Sequence, residues 1–311
     1  MRILFLVHSF NSLAQRLYVE LAEAGHELSV EYDINDETTR EAVALFRPDV
    51  VLAPFLKRAI PEDVWRALPC LVVHPGVRGD RGPNALDWAI LRREQSWGVT
   101  IIEAEAEMDA GPVWAWREFE MRHAPKSSIY RNEVTETAVI TVFEALAMIE
   151  ARDFRPTRLD LTKREIQGTE NPPVRQADRR INWHRDTSMR VARMIHSGDG
   201  TPGLLDEIDG VPYYHYDARP WTDREHVLGA RGAIVAKSGP AIARGTRNGL
   251  VWIGHLSEKR ERALKLPAPT VLAGRFALQA GEHGRLQRGA RAKVVGVRGS
   301  TLLVEPAHPP V

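Results

Sequence analysis

A doubly wound, mostly parallel α/β sheet followed by a smaller, mainly β, barrel-like (OB-like) domain is the fold this sequence predicts. Three observations predict it. The runs Ile3-Leu4-Phe5-Leu6-Val7, Val50-Val51-Leu52-Ala53 and Cys70-Leu71-Val72-Val73 are apolar without alternation, as strands buried on both faces must be. Helical patterns separate them, which is the alternation of a layered α/β fold. Beyond residue 180 the chain breaks instead into short β-prone runs at the spacing of a small barrel.

The first strand spans 2–7, and Asn11 or Ser12 caps a helix carrying Leu13, Leu17, Val19, Leu21 and Ala24 that stops at Gly25. A strand at 26–31, a helix from Asp36 to Phe46 and a strand at 49–54 repeat the unit. Pro61 opens a short helix to Leu68, and the strand 70–73 ends at His74. A Gly-, Pro- and Arg-rich loop leads to a helix at 84–93. Residues 98–103 and 111–118 form a hairpin-like pair, and a long helix at 127–151 closes the first domain, 1–155. Prolines 156, 172 and 173 in a polar stretch mark a linker at 156–179. The second domain, 180–311, has one helix at 186–196 and strands near 211–216, 232–236, 241–245, 250–254, 274–279, 291–297 and 300–305.

Length and charge exclude several classes. At 311 residues the chain has material for two domains, and 42 basic against 41 acidic side chains leave a net +1, so no global field draws nucleic acid or anionic membrane. The basic residues Arg285, Arg288, Arg291, Lys293 and Arg298 have no interleaved aromatics and read as a solvated barrel face. No apolar run is long enough to span a membrane, and the N-terminal one ends at His8 with no cleavage pattern. A single cysteine, Cys70, permits no internal disulfide, and the simplest location is cytoplasmic. The eleven histidines show no ligand spacing, so no metal is expected. The glycine-rich stretches match neither a P-loop nor a dinucleotide fingerprint.

His74 ends a buried strand, and ligands of open α/β sheets collect beyond such carboxyl ends. It is either catalytic or simply bonded to its loop. Asp109, in a turn, is by itself an ordinary turn aspartate. Arg78, Asp80 and Arg81 either shape a pocket and meet an anionic acceptor or pair structurally. Asp87 and Trp88 pack their helix, and Ser127-Ser128 reads as a helix cap, since no base is placed beside it.

Taken together, His74-Pro75-Gly76, Arg81-Gly82-Pro83, Trp88-Ala89-Ile90, Gly98-Val99-Thr100-Ile101 and Asp109-Ala110-Gly111 resemble the formyltransferases that use 10-formyltetrahydrofolate. The resemblance spans about residues 1–160, and Arg180-Ile181-Asn182-Trp183 with Gly200-Thr201-Pro202-Gly203 looks like the opening of that family's C-terminal part. Within it, Gly79-Asp80-Arg81-Gly82-Pro83, Met108-Asp109-Ala110-Gly111-Pro112-Val113-Trp114, Tyr130-Arg131-Asn132-Glu133-Val134 and Val251-Trp252-Ile253-Gly254-His255 are similar to the HypX/HoxX hydrogenase-maturation proteins.

The resemblance implies His74 and Asp109 as catalytic residues, with folate on the loop Phe55, Leu56, Lys57, Arg58, Ala59 and Ile60. Lys57 and Arg58 are equally readable as solvated charges. It implies formyl transfer to an acceptor, coenzyme A being the candidate, as the first step of making the carbon monoxide ligand of nickel-iron hydrogenase, and a crotonase-like domain or partner. Two other readings stay open: an amine formylase acting on a sugar nucleotide or natural product, and a folate-binding module without catalysis. One position departs from the family pattern. Most such enzymes carry Asn two residues before the histidine as an oxyanion donor, and here Val72 offers none.

Overall fold

Strand β1 (Arg2–Val7) is buried from Ile3 onward, as its unbroken apolar run requires. It lies between β2 (Glu27–Tyr32) and β3 (Val50–Phe55), and β4 (Cys70–His74) extends the sheet beyond β3, all parallel. β5 (Ser96–Glu103) and β6 (Val113–Glu120) then add antiparallel at the edge, giving the order β2-β1-β3-β4-β5-β6. The mostly parallel sheet therefore ends in the expected hairpin-like pair. The computed structural model describes residues 1–152, 154–163, 166–222, 230–273, 284–285, 291–298 and 301–306.

Helices cover both faces. α1 (Ser12–Glu23) is capped by Asn11, whose side chain accepts from the Ala14 amide at 3.0 Å, and it buries Leu13, Leu17 and Leu21 at i, i+4, i+8. α2 (Asp36–Phe46) is capped one residue earlier than Asp36, by Asn35, which accepts from Thr38 N–H at 2.8 Å. Asp36 instead takes the first helical position, where its charge suits the positive end of the helix dipole. α2 and α3 (Glu62–Ala67) enclose a core of Leu4, Leu6, Val51, Ala53, Ile60, Val64 and Cys70. α4 (Ala85–Arg92) follows the loop after β4. The expected long helix is two: α5 (Lys126–Ile129) passes through a π-turn at Tyr130–Val134 into α6 (Thr135–Ala151). In that turn the Thr135 hydroxyl donates to the Tyr130 carbonyl at 2.7 Å, five residues back.

The chain divides into two units, Met1–Arg122 with Ser127–Val174, and His123–Lys126 with Arg175–Val311. Of the stretch 156–179 read from the sequence as linker, the described residues through Val174 group with the first unit and those from Arg175 with the second. Val113 and Thr157 form a bridge, Arg81 and Glu170 another, and Gly168 N–H donates to the Arg78 carbonyl at 3.0 Å.

In the second unit α7 (Ser188–Ser197), capped by Thr187, packs on an antiparallel sheet. Its strands β7 (Leu204–Ile208), β8 (Val211–Trp221), β9 (Ile234–Ser238), β10 (Ala241–Gly245) and β11 (Leu250–Glu258) run in the order β7-β8-β11-β10-β9, with β12 (Leu266–Pro267) beside β11. α8 (Ala268–Val271) follows. β7 was not anticipated, although Asp209-Gly210, both with positive φ, is a strong two-residue hairpin signal between it and β8. Arg244 is buried here and satisfied by Asp206 at 2.6 Å, by the carbonyls of Gly232 and Glu207, and by the Trp183 ring 3.9 Å below it. The Arg-Ile-Asn-Trp motif thus supplies the lid on a buried charge. β13 (Gly284–Arg285), β14 (Arg291–Arg298) and β15 (Thr301–Pro306) form a further antiparallel sheet. The strand expected at 274–279 lies outside the described residues, as does Arg288 of the basic run. Among the described residues no helix is long and apolar enough to cross a membrane.

Candidate active site

His74 is the last residue of β4 and sits at the carboxyl edge of the parallel strands, 5% exposed. The chain must leave the strand sharply there, and β5 holds it. His74 pairs with Thr100, whose hydroxyl donates to the Gly76 carbonyl at 2.8 Å, while the Trp97 indole donates to the Pro75 carbonyl at 2.9 Å. The turn brings Asp80 back onto the strand end. Its Oδ2 lies 2.9 Å from His74 Nε2, and Asp80 is only 1% exposed. On the opposite ring edge, Asp109 Oδ1 is 3.5 Å from Nδ1. Asp109 adopts a left-handed backbone, φ 57°, and its Oδ2 accepts from the Gly82 amide at 3.3 Å.

With a carboxylate at each nitrogen, both must carry protons, so the arrangement favours imidazolium. Burial acts against the charge, but hydrogen bonding and attraction from Asp109 and Asp80 outweigh it and push the His74 pKa up to about 9. Burial raises the Asp109 pKa, but hydrogen bonding and attraction from His74 together with the Gly82 amide outweigh it, leaving that carboxyl below its usual range. The site therefore holds a fixed cationic N–H donor at neutral pH, which suits stabilisation of developing negative charge on oxygen.

The network extends further than the sequence reading reached. Asn171, 3% exposed, donates through Nδ2 to Asp80 Oδ1 at 3.0 Å, and its Oδ1 accepts from Arg92 at 2.6 Å. Asn171 comes from the stretch taken as linker and Arg92 from the end of α4. No local motif announces either, though Asn before Pro172-Pro173 is a polar residue held in a restricted, extended backbone.

Other candidates fall elsewhere. Val72 shares a strand face with His74, two residues apart, but is half-buried and packs against the apolar core between β4 and α2/α3. Arg78 stacks on the Trp116 ring at 4.1 Å rather than pairing with Asp80, so the structural Arg–Asp pair considered above does not form there. Arg81 pairs with Glu107 at 2.7 Å and Glu170 at 3.6 Å. On the loop 55–60, Lys57, Arg58 and Ala59 are exposed, while Ile60 is core and offers only its backbone. Lys57 N–H donates to Asp33 at 3.3 Å and Arg58 pairs with Asp36 at 3.0 Å. The Trp88 indole donates to the Pro172 carbonyl at 2.8 Å, tying α4 to the segment that delivers Asn171.

Residues 13–146 match the formyl transferase family and residues 173–270 its C-terminal domain. The chain belongs to the formyl transferase family. Among family relatives, the hydrogenase maturation factor HoxX of Bradyrhizobium diazoefficiens is 53% identical over 277 residues, which are 89% of this chain and 48% of that protein. HypX from Aquifex aeolicus, solved in complex with tetrahydrofolic acid, superposes with a TM-score of 0.82 at 46% identity, covering 88% of this chain and 47% of HypX. A methionyl-tRNA formyltransferase of Anaeromyxobacter sp. is 26% identical over 217 residues, 68% of each chain. The chain thus spans about half the length of the HoxX and HypX proteins it matches.

Proposed function

We propose that this chain transfers the formyl group of 10-formyltetrahydrofolate to a thiol, with coenzyme A as the acceptor, in the maturation of nickel-iron hydrogenase. The observation that carries the reading is His74 buried between the carboxylates of Asp80 and Asp109 at the sheet edge. The likeness to HoxX and to tetrahydrofolate-bound HypX supports the donor and the setting.

In this reading the acceptor sulfur attacks the formyl carbon, an S–C bond forms, and the carbonyl π electrons move to oxygen, where a His74 N–H stabilises the charge. Asp109 takes the thiol proton. Collapse of the tetrahedral species breaks the C–N10 bond as that proton passes to N10, releasing tetrahydrofolate and a formyl thioester. Val72 fits this acceptor. Without an amide at that position the site has one oxyanion donor fewer, and thiolate character in the nucleophile eases the addition that an amine would make slowly. The exposed Lys57 suits the anionic tail of the folate better than Arg58, which Asp36 already pairs. Arg78, stacked on a half-exposed indole and with no carboxylate partner among the described residues, suits a phosphate of the acceptor better than Arg81, which two glutamates already neutralise.

Carbon monoxide release belongs to a further step, and we assign it to a crotonase-like domain or partner acting on the thioester. Incubation of the folded protein with 10-formyltetrahydrofolate and coenzyme A should release tetrahydrofolate and a hydroxylamine-trappable thioester in equal amounts. No release with thiol, amine or water as acceptor rejects the reading, and release with amines alone replaces the acceptor.

A further inference from the structure

The two carboxylates on His74 are not equivalent. Asp80 touches Nε2 at 2.9 Å, is almost wholly buried, and has its second oxygen bonded by Asn171, itself buried and bonded by Arg92. The segment bearing Asn171 is fastened in turn: Asn171 N–H donates to the Arg81 carbonyl at 2.9 Å, and Arg81 N–H to the Thr169 carbonyl at 3.1 Å. That approach needs glycine at 168, because a β-carbon there would lie 1.8 Å from the Asp80 amide nitrogen. Asp109 stands 3.5 Å from Nδ1, keeps 16% of its side chain exposed, and is bonded by one backbone amide at 3.3 Å.

We infer that Asp80, fixed by Asn171 and Arg92, is the positioning residue that sets the ring plane and protonation of His74, leaving the Nδ1 edge beside Asp109 as the edge that meets the formyl group. The inference rests on the proposed transfer at His74. Its physical basis is which contact gives way more easily. A formyl oxygen that takes the Nδ1 proton displaces a long, partly solvated ion pair, whereas taking the Nε2 proton breaks a short buried one and leaves Asp80 Oδ2 buried without its partner. Asp109 then becomes free to exchange a proton with substrate. The charged groups facing the ring are Asp80 and Asp109, with Arg92 acting on Asp80 through the Asn171 amide.

The test compares Asp80→Asn, Asp109→Asn and Asn171→Ser in the full chain, following the His74 ring by nitrogen-15 NMR against pH and assigning it by its loss in His74→Gln. The expected result is a midpoint lowered in both Asp80→Asn and Asp109→Asn, and lowered slightly in Asn171→Ser. In the formyl-transfer assay Asp80→Asn should lose kcat by tenfold or more with KM for the folate changed less than threefold, and its alkaline limb should move toward neutrality with the NMR midpoint. An Asp80→Asn protein whose His74 midpoint and kcat are both those of the wild type overturns the inference. If Asp80→Asn does not fold, Asn171→Ser decides: an unmoved midpoint and unchanged kcat overturn it. The NMR titration needs no turnover, so a protein inactive in the assay but titrating as described rejects the proposed function and keeps the positioning role.

Discussion

The backbone of Gly76 passes so close to His74 that a β-carbon there would lie 2.4 Å from the imidazole Nε2 and 2.7 Å from Asp80 Oδ2. The loop can carry Asp80 back to the strand end only if position 76 has no side chain. Gly76→Ala must therefore push either the ring or the carboxylate. Overpacking of this kind costs about 1–3 kcal/mol, and the expected outcome is a lower unfolding midpoint together with a kcat reduced more than tenfold. Thermal unfolding and formyl-transfer kinetics on the same preparation check both.

His74 makes stability depend on alkaline pH. Its folded pKa, about 9, lies above the ordinary 6.5, so the contribution is complete below about pH 6.5 and is lost as pH rises through 9. The full difference corresponds to about 3 kcal/mol. His215 works with the opposite sign. Burial and the neighbouring Arg244 cation hold it down at about 4, so its contribution is present above 6.5 and is lost as pH falls toward 4. Urea unfolding between pH 4 and 10 should show both limbs, and His74→Gln should flatten the alkaline one alone.

Much of this site was legible because its chemistry is local in sequence. His74 terminates an apolar run, and Asp109 lies in a turn between two strands that the structure pairs side by side. The parallel strands were legible for the same reason, since Ile3–Val7 and Val50–Ala53 need burial on both faces. The Asn171–Asp80 bond was not, because 91 residues separate its partners and a proline-rich polar stretch reads as linker. The same limit hid the π-turn at Tyr130–Val134. A helical pattern records which residues are apolar and is blind to a carbonyl bonded five residues ahead rather than four.

Val72→Asn tests the missing oxyanion donor. The amide would stand on the His74 face of β4 but against the apolar cluster of Leu4, Leu6 and Ala53. We expect faster formyl transfer to simple amines or water, at a cost of about 1–3 kcal/mol in stability for the poorly bonded amide. Unchanged rates with both acceptors would show that the formyl oxygen does not reach position 72.

Cys70 is excluded as a formyl carrier. It is buried in the core between β4 and the α2/α3 layer, and burial, reinforced by Glu103, pushes its thiol up to about 12. A thiol-disulfide reagent at pH 8 should label nothing in the native protein and one thiol per chain in denaturant. Cys70→Ser should leave the acceptor dependence of turnover as it was.

The most direct measurement is single-turnover formyl transfer from 10-formyltetrahydrofolate to coenzyme A by the wild-type chain and His74→Ala, with tetrahydrofolate binding measured on both. His74→Ala is expected to fold and to bind tetrahydrofolate, while its rate of thioester formation falls by a factor on the order of 10²–10³, the loss typical of a removed oxyanion donor. Thioester formation by His74→Ala at the wild-type rate would show that His74 takes no part in the transfer.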